Sequence, residues 1–181
     1  MASNIIGPYF ALCFSLVLRE RGFTTEEIGA FIHASYRTPF SRLPKWLLRR
    51  LRRPLFWLKF RAMAAVAEAT QRRERPDEFV LAVPGPPPGC DFALEIRECA
   101  VCKAFAKHGE QSVVPYVCAT DDLMSDALGL GLRRTGTRAV GAERCDFVYE
   151  FDGRPLQLRD RYDLAQGKRL TRSSKASAGQ P

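Results

Sequence analysis

Apolar side chains dominate the start of the chain and predict a helix there. Residues 5–18 are apolar except for Gly7, Pro8 and Ser15, and a charged stretch follows at 19–21. This stretch is too short to cross a bilayer, which takes about 20 apolar residues. It also lacks the basic start and the small-residue cleavage site of a signal peptide. We therefore expect a buried N-terminal helix and a cytoplasmic protein.

Residues 42–75 complete a helical region that covers residues 1–75, and they interleave basic side chains with large apolar ones. This segment predicts two amphipathic helices that are broken at Pro54. Its second half ends before Pro76, where the pattern changes to period-two alternation. The chain from there to residue 158 is a separate mixed region.

The mixed region, residues 76–158, has its strands and helices in separate runs. The predicted order is two strands, two helices and two strands, at Glu78–Val83, Phe92–Ile96, Glu98–Lys107, Ser112–Leu128, Leu130–Val140 and Cys145–Phe151. Such segregation favours an α+β domain with N-terminal helices packed on a small antiparallel sheet. The polar residues 159–181 predict a disordered tail.

Composition fits one globular domain that needs no disulfides. The chain has 181 residues, of which 46% are hydrophobic, and this length buries enough surface for a core. Its six cysteines are then expected to be reduced thiols. The sequence contains no Walker-type loop, GxGxxG, HExxH or GxSxG motif, so we expect no cofactor and no metal.

The net charge of +8 comes from the segment 42–75, which has eleven basic residues and only two acidic ones, Glu68 and Glu74. Lys and Arg beside Trp and Phe suit contact with an anionic membrane surface, nucleic acid or another polyanion. The favoured alternative is a helix pair with a solvated basic face, since no nucleic-acid module is present. The same helices are candidates for a homodimer contact.

Cys99 and Cys102 form a CxxC motif at the start of a predicted helix. The free N–H groups of a helix start lower the pKa of a thiol, which suits a nucleophile or a metal ligand. A zinc site would need further ligands from elsewhere, such as Cys90, Cys118 or Cys145. Simple packing of a small apolar side chain is the alternative for Cys102.

A second cluster lies on the predicted helix 112–128, where Cys118, Asp121 and Asp122 fall on neighbouring turns of one face. A thiol beside carboxylates suits proton transfer or cation binding. The alternative is a solvated acidic face with a packed cysteine. The residues themselves do not separate these two interpretations.

The last two predicted strands add a cation and a thiol. Arg134 alternates in phase with Leu130 and Leu132, which places its guanidinium on the buried side. A buried Arg needs a partner, either Asp121 or Asp122 in an ion pair or a ligand carboxylate. Thr137 is predicted on the face opposite to Arg134, unless a bulge forms near Gly136. Cys145 is predicted on the inner face of the sheet, in phase with Phe147, Tyr149 and Phe151.

Together these segments resemble the L-2-amino-thiazoline-4-carboxylic acid hydrolase family over residues 76–152. The residues that carry the resemblance are Phe92-Ala-Leu-Glu-Ile-Arg-Glu-Cys99, Cys118-x-x-Asp121, Arg134-x-x-Thr137 and Gly141-x-x-x-Cys145-Asp146-Phe147, and Leu18–Glu27 is similar to the helix entry of the family. The resemblance implies hydrolytic opening of a cyclic isothiourea to N-carbamoyl-cysteine. The basic region 37–75 contains no motif of the family.

The resemblance also implies roles for individual residues. Arg134 is the candidate that binds the substrate carboxylate, and Thr137 and Asp122 are further substrate-binding candidates. Asp121 is the candidate that binds the amidinium group or acts as a general base on water. Attack on the ring carbon is assigned to one of three candidates, Cys118, Cys145 or Cys99. The C-terminal pattern is also similar to 4-vinyl reductase-type domains, which implies a non-enzymatic small-molecule-binding module as the alternative function.

Overall fold

A computed structural model describes residues 6–41, 44–156, 158–160, 162–164 and 168–169. In these residues the α-helices and the strands of the main sheet are α1 Ile6–Glu20, α2 Thr25–Ser41, α3 Lys45–Thr70, β1 Val80–Ala82, β2 Phe92–Glu98, α4 Ala100–Lys107, α5 Val114–Leu128, β3 Leu130–Arg133 and β4 Cys145–Phe151. The predicted α+β class is confirmed.

The sheet has the strand order β1-β2-β4-β3, and every neighbouring pair is antiparallel. In its centre Leu94 lies opposite Phe147, and Tyr149 lies opposite both Phe92 and Leu132 on its two neighbours. Helix α3 covers this face, and the rings of Phe60 and Phe92 stack with their centroids 4.6 Å apart. One core therefore lies between α3 and the sheet.

A second core joins the other helices. Ile28 and Ile32 of α2 are buried with Phe105 of α4 and with residues of α5. Helices α2 and α5 pack closely at Gly29, where a Cβ atom would collide with the Tyr116 ring. Helix α5 also contacts α3 and β3, which contribute to the first core.

Helix α3 is one continuous helix, so the predicted break at Pro54 is wrong. A proline removes one backbone N–H donor from the helix. Pro54 and Arg50, whose carbonyl loses that donor, are both exposed, so water can take the place of the missing bond. Helix α3 is anchored to the end of α5 because buried Arg52 donates to the carbonyl of Gly129 at 2.6 Å.

Helix α1 is only partly buried, in contrast to the prediction. Ala11 and Leu12 lie in the core, whereas Tyr9, Phe10 and Phe14 are exposed. The apolar residues of this segment surround the helix, and only one stripe of them packs against α2 and α4. No helix within the described residues is long and apolar enough to cross a membrane.

The predicted strand 130–140 ends at Arg133, and Arg138–Val140 form a 3-10 helix instead. The reason is the carboxylate of Asp146, which accepts hydrogen bonds from the backbone N–H groups of Thr135 and Gly136 at 2.9 and 3.2 Å. These groups are then not available to a strand ladder. Thr137 is consequently buried like Arg134 rather than on an opposite face.

Most of the predicted tail, 159–181, lies outside the described residues. Its described part begins within a 3-10 helix at Leu158–Asp160 and continues as a two-stranded ladder, β5 Tyr162–Asp163 with β6 Lys168–Arg169. Leu158 and Leu164 are buried against Ala119 of α5. The prediction of a disordered tail falls mostly on residues outside the described ones and stays a prediction.

We expect Gly131→Ala to destabilise the protein by about 1–3 kcal/mol, the usual cost of overpacking. A Cβ atom at Gly131 would lie 2.8 Å from the backbone Cα of Gly153, which has no flexible side chain to move away. The matched control is Gly85→Ala, because a Cβ there meets nothing within 4 Å. Denaturant unfolding measures both variants, and equal stability of the two would contradict the close approach.

Candidate active site

A cavity of about 290 Å³ lies between the helices and the inner face of the sheet. All five α-helices contribute to its wall, as do β1, β2 and β4. Its polar lining residues are Tyr36, Lys59, Cys99, Cys118, Thr120, Asp121, Cys145 and Tyr149. The cavity therefore gathers three of the chain's six cysteines beside a carboxylate and an ammonium group.

Cys99 stands where β2 ends and α4 begins, as the N-cap residue of the helix. Its Sγ accepts a hydrogen bond from the backbone N–H of Cys102 at 3.5 Å. A hydrogen bond from the Cys102 thiol, helped by the N–H groups of Cys102 and Val101, lowers the Cys99 pKa to about 7 against the effect of burial. The start of α4 thus favours the thiolate form of Cys99.

The other two thiols of the cavity remain protonated. Burial raises the pKa of Cys118 well above its usual range, and the neighbouring Cys99 and Cys145 thiols raise it further. Burial also raises the pKa of Cys145 to about 12, although its Sγ accepts the Arg138 N–H at 3.2 Å. Of the three thiols, Cys99 alone has a lowered pKa.

Asp121 presents a carboxyl group to the cavity from α5. Its side chain is 40% exposed, and it accepts a hydrogen bond from Arg134 at 3.3 Å. Burial raises its pKa, while the positive charges of Arg134 and Lys59 oppose this shift. A carboxyl group whose pKa is raised keeps its proton to higher pH than a free aspartic acid does, which suits proton transfer.

Arg134 forms the ion pair that the sequence offered as one of two alternatives. It donates to Asp122 at 2.7 Å and to the carbonyl of Cys118 at 2.9 Å, in addition to its bond to Asp121. The side chains of Arg134 and Asp122 are each 1% exposed. Asp122 also accepts the backbone N–H of Leu158 at 2.7 Å, so both of its oxygens have partners.

The structure brings together four of the seven predicted site residues. Cys99, Cys118, Cys145 and Asp121 line the cavity, whereas Arg134, Asp122 and Thr137 are buried and are not among its lining residues. Of these three, Arg134 contacts Asp121 through a hydrogen bond.

Sequence reasoning missed four polar residues of the cavity, Tyr36, Lys59, Thr120 and Tyr149. Lys59 follows Phe56 by three residues and precedes Met63 by four, so it shares their helix face. That spacing was the available signal for Lys59. Tyr149 was assigned to the inner face, and burial raises its pKa.

The described residues contain no group of three or more His, Cys, Asp or Glu side chains that could hold a metal ion. The cysteines outside the cavity differ in setting, since Cys13 is exposed and Cys90 is half-buried. Within this region Cys102 contacts Cys99 through its backbone N–H, which donates to the Cys99 Sγ.

A family model described as L-2-amino-thiazoline-4-carboxylic acid hydrolase matches residues 8–149. This range contains every lining residue of the cavity except Gly7. No curated protein and no solved structure matches the chain significantly. The match thus covers the helices and the sheet that build the cavity.

We expect the rate of Cys99 alkylation by iodoacetamide to rise about tenfold per pH unit below pH 7 and to level off above it. The thiolate reacts, and its fraction increases until the pH passes the Cys99 pKa of about 7. Cys145, in the same cavity, is the internal control and should stay slow up to pH 9. Peptide mass spectrometry follows both sites, and equal rates would contradict the assignment.

We expect Arg134→Gln to cost about 3–5 kcal/mol of unfolding free energy, because it leaves the buried Asp122 carboxylate without its charge partner. The neighbouring Arg133→Gln is the matched control. Arg133 pairs with Glu150 on the surface, so its loss should cost at most about 1 kcal/mol. Denaturant unfolding compares the two, and similar losses would argue against a buried ion pair at Arg134.

Proposed function

Because this chain belongs to the L-2-amino-thiazoline-4-carboxylic acid hydrolase family, we propose that it is a hydrolase that opens a small cyclic amidine or isothiourea. The parent substrate of the proposal is L-2-amino-thiazoline-4-carboxylate, and the product is N-carbamoyl-L-cysteine. The observation that supports it most is the cavity, where Cys99, whose pKa is lowered to about 7, lies in one lining with Asp121 and Lys59.

In the first half of the proposed reaction, the Cys99 thiolate attacks the ring carbon C2 of the protonated substrate. A bond forms between Cys99 Sγ and C2, and the bond between C2 and the ring sulfur then breaks. The electron pair stays on the ring sulfur, which takes a proton from the carboxyl group of Asp121. The substrate is now a ring-opened isothiouronium on Cys99, and its own thiol is free.

In the second half, water attacks the same carbon, and the Asp121 carboxylate takes the proton of the water. The bond between this carbon and Cys99 breaks and restores the thiolate. The oxygen of the water becomes the carbonyl oxygen of the carbamoyl group, and its remaining proton passes to solvent. The balance is one substrate and one water consumed for each N-carbamoyl-L-cysteine.

Lys59 is the proposed partner of the substrate carboxylate, in place of Arg134. It is the only Lys or Arg among the described residues that line the cavity. Its positive charge opposes the rise of the Asp121 pKa that burial causes. Arg134 already holds Asp121 and Asp122 and is nearly fully buried. Its contribution to this reaction is to position Asp121.

We expect Cys99→Ser to reduce the turnover of L-2-amino-thiazoline-4-carboxylate by on the order of 10³-fold or more, since the attacking thiolate is lost. Cys13→Ser is the control, because Cys13 is exposed and lies outside the cavity. Formation of N-carbamoyl-L-cysteine is measured by mass spectrometry against protein-free samples.

Full activity of Cys99→Ser together with loss of activity in Cys118→Ser would assign the attack to Cys118 instead. No turnover by folded wild-type protein would reject this substrate. A shift of the melting temperature by the same compound would then favour the binding-module alternative.

A further inference from the structure

Large apolar side chains cover the part of α3 that does not pack on the sheet. Phe60 and Ala67 of this helix are buried in the core between α3 and the sheet. Six other large apolar side chains of α3 are 39–68% exposed, namely Trp46, Leu51, Leu55, Trp57, Leu58 and Val66. We call these six residues, together with the exposed Arg50 and Arg61, the outer face of α3.

Leucines and arginines form separate stripes on the outer face. Leu51 and Leu58 are seven residues apart, so they share one line along the helix. Arg50, Trp57 and Arg61 follow a second line, about a quarter turn to one side. The Arg61 guanidinium lies over the Trp57 ring, 4.6 Å from its centroid. An apolar stripe bordered by arginine and tryptophan is typical of a helix that lies at a membrane surface.

The charges along α3 have one sign. Residues 45–67 include seven basic residues and no acidic one. Two of the seven, Arg52 and Arg53, contact Asp152. The arginines of the outer face have no carboxylate on their own helix before Glu68, so their charge complements an anionic partner.

The chemistry of the outer face distinguishes between possible anionic and apolar partners. A symmetric dimer through this face would place arginines opposite arginines, and residues 45–67 offer no carboxylate to separate them. Nucleic acid would satisfy the arginines through its phosphates but would leave the exposed leucines without an apolar partner. Anionic lipid offers phosphates at the surface and acyl chains beneath them, so it matches both stripes.

We propose that α3 docks on the surface of a lipid bilayer that contains anionic lipids. Leu51, Leu55 and Leu58 then lie at the level of the acyl chains, and Arg50 and Arg61 bind lipid phosphates. The helix axis lies in the plane of the membrane. None of the eight outer-face residues lines the cavity, so docking and hydrolysis are separable.

The two tryptophans of the chain, Trp46 and Trp57, both belong to the outer face and report on docking. The full-length protein is mixed with vesicles of phosphatidylcholine alone, or of phosphatidylcholine and phosphatidylglycerol in equal parts. We expect the tryptophan emission to shift to shorter wavelength with the anionic vesicles only, and brominated acyl chains should quench it. High salt should release much of the bound protein, because it screens the arginines from the lipid phosphates.

Leu58→Asp should weaken vesicle binding about tenfold or more, because it removes a leucine from the apolar stripe and adds a negative charge. The matched control is Phe10→Asp in α1, since Phe10 is 61% exposed and Leu58 is 62% exposed. Phe10 lies outside the outer face, so this variant should bind the vesicles like the wild-type protein.

A second pair of variants tests the arginines without adding a negative charge. Arg50→Gln combined with Arg61→Gln should weaken vesicle binding by roughly thirtyfold, because two basic groups leave the anionic surface. Arg97→Gln combined with Arg144→Gln makes the same change in net charge, but at arginines that pair with Glu95. This control should retain most of the binding.

Equal weakening by Leu58→Asp and Phe10→Asp would overturn the proposal, as would the absence of binding to anionic vesicles. Binding to a DNA duplex but not to vesicles would assign the arginines to nucleic acid. A dimer that Leu58→Asp converts to a monomer in sedimentation, without vesicle binding by the wild-type protein, would assign the outer face to a second copy of the chain.

Discussion

The buried ion pair between Arg134 and Asp122 determines how the rest of the site is built. Arg134 follows directly after β3, Asp122 lies on α5, and Asp122 also accepts the N–H of Leu158 beyond the sheet. Three segments that are distant in sequence thus depend on one buried pair of charges. Removal of either charge leaves the other without a partner in the interior, which is far more costly than the pair itself. The same guanidinium holds Asp121, so the constraint that stabilises the fold also aims a carboxyl group into the cavity.

Desolvation and hydrogen bonding compete at each thiol of this cavity, and the result differs between them. Burial favours the neutral form and prevails at Cys118 and Cys145. At Cys99 the start of α4 supplies N–H groups and the Cys102 thiol supplies a further donor, and together these prevail. A single apolar cavity thereby holds one thiol with a lowered pKa beside two thiols with raised ones. The difference lies at the start of α4, where Cys99 caps the helix and has Cys102 as its neighbour.

Sequence periodicity predicted the elements better than their ends and their partners. The alternation of Leu130 and Leu132 placed Arg134 inside, and the Cys99 motif was placed at a helix start, because both follow from local backbone geometry. The choice between an ion pair and a ligand for Arg134 depends on tertiary contacts that spacing does not encode. The end of β3 was missed because Asp146, from a neighbouring strand, takes the N–H groups of Thr135 and Gly136. The continuity of α3 was missed because the exposure of Pro54 becomes known only after α3 packs on the sheet.

The apolar wall of the cavity and the lowered pKa of Cys99 are connected, because an apolar wall disfavours the ionised form of a thiol. A wall of Leu, Ile, Val, Met and Phe excludes water, and this strengthens each charge interaction inside the cavity. The same exclusion penalises any thiolate, so a nucleophile in such a place needs donors that compensate for the lost water. Cys99 obtains them from α4, while Asp121 obtains partial compensation from Arg134 and Lys59 and keeps a raised pKa. The cavity therefore combines an apolar wall with a thiol of lowered pKa and a carboxyl group of raised pKa.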